Sequence, residues 1–246
     1  ASLLPAEPDD SHPNLGWDAA RGALVGHPVV GVQGALVFDA PGLEVIDAEG
    51  ASLAQRALED ASFEEALGWL AAMLSRLGID LPEKGLAPPG YRLPAHGVAK
   101  GGRFRFVNAA CEELSRWFAN ASISLDALAS DAPGATPLRC WPHHFDLAFL
   151  SVRERDDAGA PSKSIGCGLS PGDELVPEPY FYVSPWPYPS PDSLAGLPLG
   201  FWHTGDFTAA MFTATELLNG LEATQEARVG EFLAAAYRAG ERALSL

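Results

Sequence analysis

Six histidines are spread over 246 residues. Two of them stand together in Trp141-Pro142-His143-His144-Phe145-Asp146, at the mouth of the apolar run LAFLSV. Neutral imidazole and carboxylate are the usual ligands of Zn, Mn or Fe. Histidine is also the side chain whose charge changes near neutral pH. His144 and Asp146 can therefore share one divalent ion, or serve one substrate as general acid and base.

The alternation of side chains along a strand extends this set. If residues 140–153 form one strand, Trp141, His143, Phe145, Leu147 and Phe149 share a bulky face, and His143 joins the core. His144, Asp146, Ala148 and Leu150 take the other face. In Glu178–Ser184 the same parity groups Glu178, Tyr180, Tyr182 and Ser184, with Phe181 and Val183 behind them. In Ser164–Ser170 it groups Ser164, Gly166, Gly168 and Ser170, with Ile165, Cys167 and Leu169 behind.

Were these strands neighbours, Gly166 and Gly168 would floor an open space ringed by an imidazole, two carboxylates and two phenols, as in a concave ligand site. A solvated face of an antiparallel sheet alternates in the same way, but tyrosine and histidine are less usual there than Lys, Glu or Thr. His203, in Phe201-Trp202-His203-Thr204-Gly205, is a further candidate. The expected catalytic set is His144, Asp146, Glu178 and His203, and the same four are the candidate ligands of a divalent metal. Their spacing matches no short metal motif such as HExxH. Tyr180, Tyr182, Trp186, Trp202, Gly166 and Gly168 are the expected ligand-binding positions.

Two nearby patterns fail on chemistry. Gly168-Leu-Ser170-Pro-Gly172 fits GxSxG, but proline after the serine lacks the N–H that a nucleophile elbow uses in its oxyanion hole, and no helix pattern follows. The segment suits a turn instead. Gly166-x-Gly168 lacks a third glycine and a βαβ context, so a dinucleotide fingerprint fails. His12, His27 and His96 read as incidental.

The elements that must position these groups point to an α+β fold, with a mixed or mainly antiparallel sheet flanked by helices and a long C-terminal helix. Residues 1–16 read as an arm with little structure of its own, and 17–246 as a single domain with a soft internal boundary near 130. Val29–Phe38 and Leu43–Ile46 flank the turn Ala40-Pro41-Gly42 and predict a hairpin. Ser62-Phe63-Glu64-Glu65 matches a capping box, followed by Leu67, Leu70, Leu74 and Leu77 at helical spacing and by Gly78 as a stop.

Residues 81–103 are a proline- and glycine-rich connection. Asn108 can cap a helix through Leu114, Trp117 and Phe118. After a loop at 130–137, strands are expected at 140–153, 164–169 and 179–184. Asp206 can cap a helix from Phe207 to Leu218. A last helix from about Glu222 to Leu244 puts Val229, Phe232, Leu233, Ala236 and Tyr237 on one stripe.

A net charge of −16 and the absence of a long basic run argue against a nucleic-acid partner. Cys111, Cys140 and Cys167 form no CxxC pair, so buried thiols in a reducing cytosol are expected. No pattern of a signal peptide opens the chain. The most apolar stretch, Gly22–Phe38, contains Pro28 and Gln33 and is short for a membrane span. The protein is expected to be soluble and cytoplasmic, with a small-molecule partner and no membrane partner. The sequence does not fix its oligomeric state.

The segments RCWPHHFDLA (139–148), GLSPGDELVPEPYFYVSPWP (168–187) and FWHTGDFTAA (201–210) together resemble an uncharacterised bacterial family of unknown function. Its members carry PHHFDLA, then SPGD…EPYFY, then WHT before a closing helix. The resemblance covers mainly residues 138–220. It implies that these segments form one unit, with His143, His144, Asp146, Asp173, Glu178, Tyr180, Tyr182, Trp202 and His203 at the matching positions, and it brings no activity. The leading expectation is a small-molecule enzyme with a His/carboxylate pocket. The alternatives are a non-catalytic binding module using Tyr182, Trp186 and Trp202, or an interaction protein docking through SPWPYPSP.

Overall fold

A computed structural model describes residues 2–7, 11–87 and 96–246. Among them the fold is α+β, with two antiparallel sheets, four α-helices and a long C-terminal helix. The chain divides into two compact units. Residues 1–119 and 140–143 form the first, residues 120–139 and 144–246 the second. No helix among the described residues is long and apolar enough to cross a membrane.

The first unit holds a meander of β1 (Gly16–Asp18), β2 (Ala23–Val25), β3 (Val32–Val37), β4 (Gly42–Asp47) and β5 (Ser52–Ala57), each antiparallel to the next. The predicted hairpin is β3–β4, with Leu36 opposite Leu43 and Gly34 opposite Val45. Local side-chain bonds set the turns. Asp18 accepts from the Arg21 N–H at 3.1 Å, and Asp47 from those of Glu49 and Ala51 at 3.1 and 2.7 Å, the local bonding that makes Asp a turn former.

Helix α1 (Phe63–Arg76) starts at the predicted capping box, with Ser62 Oγ accepting from the Glu65 N–H and Glu65 accepting from the Ser62 N–H. Such a cap is worth about 1 kcal/mol. Gly78, at φ 77°, ends it as the left-handed stop that glycine adopts without a Cβ penalty. Leu74 then packs into a core with Val32, Val45 and Ile79. The expected arm is partly tied down: Leu3 packs on this core, Asn14 is buried and Leu15 bridges to Cys140. Its residues 1 and 8–10 lie outside the described residues, as do 88–95 of the long connection.

Helix α2 (Asn108–Asp131) takes Asn108 as its first residue and not as its cap. The Val107 carbonyl already accepts from the N–H groups of Ala110 and Cys111, so the turn begins one residue earlier than predicted.

The remaining strands are β6 (Arg139–Trp141), β7 (Asp146–Arg155), β8 (Pro161–Ser170), β9 (Tyr180–Trp186), β10 (Phe201–Thr204) and β11 (Thr208–Thr213). Their sheet order is β10-β11-β9-β8-β7-β6. Two expectations are corrected here. The strand predicted at 140–153 is two strands, broken by a turn at 142–145 in which Phe145 takes a left-handed φ of 56°. Half of the helix predicted at 207–218 is strand β11; only α3 (Ala214–Leu218) is helical, capped by Thr213 with Glu216. All six β11 residues are buried between β9 and β10. A strand covered on both faces loses the period-two pattern that would have revealed it.

The predicted last helix is α4 (Gln225–Ala243), and its expected stripe of Val229, Phe232, Leu233, Ala236 and Tyr237 is buried. Phe232 stacks on Phe212 at 5.3 Å. Tyr237 bonds the buried Ser151 hydroxyl at 2.7 Å, and Arg153 reaches Glu241 at 2.6 Å. The helix is thereby fixed over β7–β9 by both apolar packing and a polar latch.

Candidate functional site

The register of the second sheet decides which side chains share a face. Tyr182 lies opposite Gly168, Tyr180 opposite Ser170 and Ser184 opposite Gly166. Gly168 in turn faces Ala148 on β7. Paired residues point to the same side of a sheet, so Asp146, Gly166, Gly168, Tyr180 and Tyr182 share the face predicted for them. Ile165, Cys167, Leu169, Phe181 and Val183 occupy the other side and are buried. From Asp146 onward the predicted parity of β7 holds.

The open floor expected at the glycines is filled at Gly168. The Tyr182 ring crosses that residue, and a Cβ there would sit 2.8 Å from both Tyr182 Cζ and its hydroxyl and 2.7 Å from Ala148 Cβ. By lying over a residue without a side chain, the phenol spans two strand spacings, about 10 Å, and donates to Asp146 Oδ2. Asp146 is 7% exposed. Burial first, then the adjacent Asp146 charge, pushes the Tyr182 hydroxyl well above its ordinary pKa. At Gly166 a Cβ would meet Leu150 only at 3.8 Å.

A second tyrosine–carboxylate pair stands beside the first, with the Tyr180 and Tyr182 rings 6.3 Å apart. Tyr180 donates to Asp173 Oδ2 at 2.6 Å. Asp173 Oδ1 accepts from the Leu175 and Val176 N–H groups, both at 2.8 Å. Partial burial alone would raise the Asp173 pKa. The Tyr180 hydroxyl, the two backbone donors and the nearby charge of His144 outweigh it and hold the carboxyl below its ordinary range. Burial and the bond to Asp173 raise the Tyr180 pKa. Ser170, the serine of the rejected GxSxG, accepts from the Gly172 N–H at 3.2 Å as part of the turn.

His144 is exposed on the 142–145 turn, and His143 is half-buried with its ring edge-on to Trp141 at 6.2 Å. The two differ in exposure because of the turn, and His143 is not the core residue that strand parity predicted. The charge of His144 helps to lower the pKa of Asp173, a residue that entered the sequence reading only as a position matching the resembled family. Its placement in SPGD, seven residues before Tyr180, was the available signal.

Other candidates are committed elsewhere. Glu178 Oε2 accepts from the N–H and the hydroxyl of Thr215, both at 2.7 Å, at the start of α3. His203 shares the Tyr182 face through Ala209 and Met211, but its ring lies against Phe207 at 4.6 Å. The metal set is therefore corrected: among the described residues, no group of three or more His, Cys, Asp or Glu is placed to hold an ion. Glu178 turns to Thr215, Asp146 to Tyr182 and His203 to Phe207.

The aromatic pocket of Tyr182, Trp186 and Trp202 is not assembled either. Trp202 pairs with Ala210, which pairs with Val183, so it belongs to the face opposite Tyr182, and its indole donates to the Ala195 carbonyl at 2.9 Å. Trp186, at the far end of β9, is 47% exposed and stands edge-on to Tyr188 at 4.9 Å.

No family model, no curated protein and no solved structure matches this chain.

Proposed function

We propose that the second unit is a small-molecule enzyme working by acid–base chemistry, with His144 as the group that exchanges a proton with substrate. Asp173 is its positioning counter-charge, and the two tyrosine–carboxylate pairs form the rigid polar wall beside it. The observation that supports this reading is an exposed imidazole, on the turn leading into Asp146, whose charge bears on Asp173, a carboxylate that accepts from the Tyr180 hydroxyl and from two backbone N–H groups. A positioned acid–base group contributes about 10²–10⁴-fold to a rate. Three free cysteines, two of them buried, support a reducing, cytoplasmic setting.

The test is a screen of small polar metabolites by thermal shift on wild type and His144→Ala, followed by turnover assays of each compound that stabilises only the wild type. The reading expects such compounds and their conversion. Binding without conversion would favour a non-catalytic module, and identical shifts in the variant would remove His144 from the site.

A further inference from the structure

The first unit holds a cavity of about 210 Å³ beneath its N-terminal segment. We propose that it is a second binding site, for a small apolar molecule bearing one hydroxyl group, and this proposal does not rest on the reading above.

Its walls are mostly apolar, including Leu15, Val29, Leu67, Leu70, Leu74 and Leu86. The polar side chains of the lining are two imidazoles, the buried Asn14 and Ser2, whose hydroxyl is already committed to the Ala87 carbonyl and N–H, both at 2.9 Å. His27 Nε2 lies 2.8 Å from Asn14 Oδ1 and 3.2 Å from the Ser11 carbonyl oxygen. A backbone carbonyl only accepts, so Nε2 carries the proton and Nδ1 of the neutral ring keeps an acceptor lone pair. His12 is the mirror case. Its Nδ1 accepts from the Glu7 N–H at 3.2 Å, so the proton of its neutral ring is on Nε2 and is a donor.

Among the described residues, one lining imidazole is thus left with an acceptor and the other with a donor. A hydroxyl group satisfies both at once, because it donates one hydrogen bond and accepts another. A carboxylate would meet the His27 acceptor with a second acceptor. A bare hydrocarbon would leave both nitrogens unserved, a cost that polar sites impose on analogues lacking the polar group. A dry cavity of about 150 Å³ accepts benzene, so this one suits a ring with one or two substituents.

Thermal shift with 4-methylphenol, toluene and 4-methylbenzoate, on wild type and on Leu67→Trp and His27→Phe, tests the assignment. The expected result is a concentration-dependent rise in Tm with 4-methylphenol. Toluene should need about tenfold more for the same shift, the equivalent of one hydrogen bond, and 4-methylbenzoate should be weaker than the phenol. Leu67→Trp fills the space with an indole and should abolish the shift while keeping wild-type circular dichroism. Should that variant not fold, His27→Phe should bring toluene and 4-methylphenol to equal affinity. Equal affinity of those two for the wild type, preference for the benzoate, or shifts unchanged in both variants would overturn the proposal.

Discussion

A methyl group added at residue 168 would meet Ala148 Cβ at 2.7 Å and the Tyr182 phenol at 2.8 Å. Gly168→Ala should therefore destabilise the protein by about 1–3 kcal/mol through overpacking, measured from urea midpoints. In a Tyr182→Ala background that cost should shrink, and an unchanged cost would show that the ring is not what needs the glycine. Tyr182→Phe removes a donor to the buried Asp146 and should cost about 1–3 kcal/mol by itself.

For Asp173 the folded pKa lies below its unfolded value, so the stabilisation is present above the unfolded value and is lost as pH falls through the folded one. The stability difference between wild type and Asp173→Asn should hold steady above about pH 5 and narrow below about pH 4, with an acid titration of unfolding as the check. Of these residues, the shared face of Gly168, Tyr180 and Tyr182 was legible from period two. The filling of the glycine floor was not, since nothing in a linear pattern says which way a long phenol leans. Nor did spacing single out Asp173, because only the fold of the loop at 171–179 brings the Tyr180 hydroxyl and the Leu175 and Val176 N–H groups onto its carboxylate.

Among the elements, α1 and α4 were readable because their signals are local: a capping box, a leucine stripe and a glycine stop for α1, and an apolar stripe at helical spacing for α4. The segment 207–218 misled for an equally physical reason. Alanine, methionine and leucine favour helix by propensity, and two flanking strands overrode that preference. The break at 142–145 was hidden because Phe145 adopts a left-handed backbone that its type rarely takes. The latch between α4 and β7 gives the element-scale prediction. The Ser151 hydroxyl donates to the Pro133 carbonyl at 2.7 Å, so Tyr237 is the donor to Ser151. Tyr237→Phe should then cost about 1 kcal/mol, measured by urea denaturation, with wild-type circular dichroism.

Over the whole molecule, the fold class followed from clustered strands succeeded by helices. The acid excess was equally plain, with 32 acidic residues against 16 basic ones. Self-repulsion at that charge weakens the compact state, and salt screens it over about 10 Å at 0.1 M. Raising ionic strength from 10 to about 150 mM should raise the melting temperature, and a fall would mean that attractive ion pairs outweigh the repulsion.

The acid–base role assigned to His144 is tested most directly by kcat/KM of wild type and His144→Gln on a compound that the wild type converts. The account predicts a loss of about 10²–10⁴-fold with unchanged thermal stability. Equal kcat/KM values in the two proteins would contradict it.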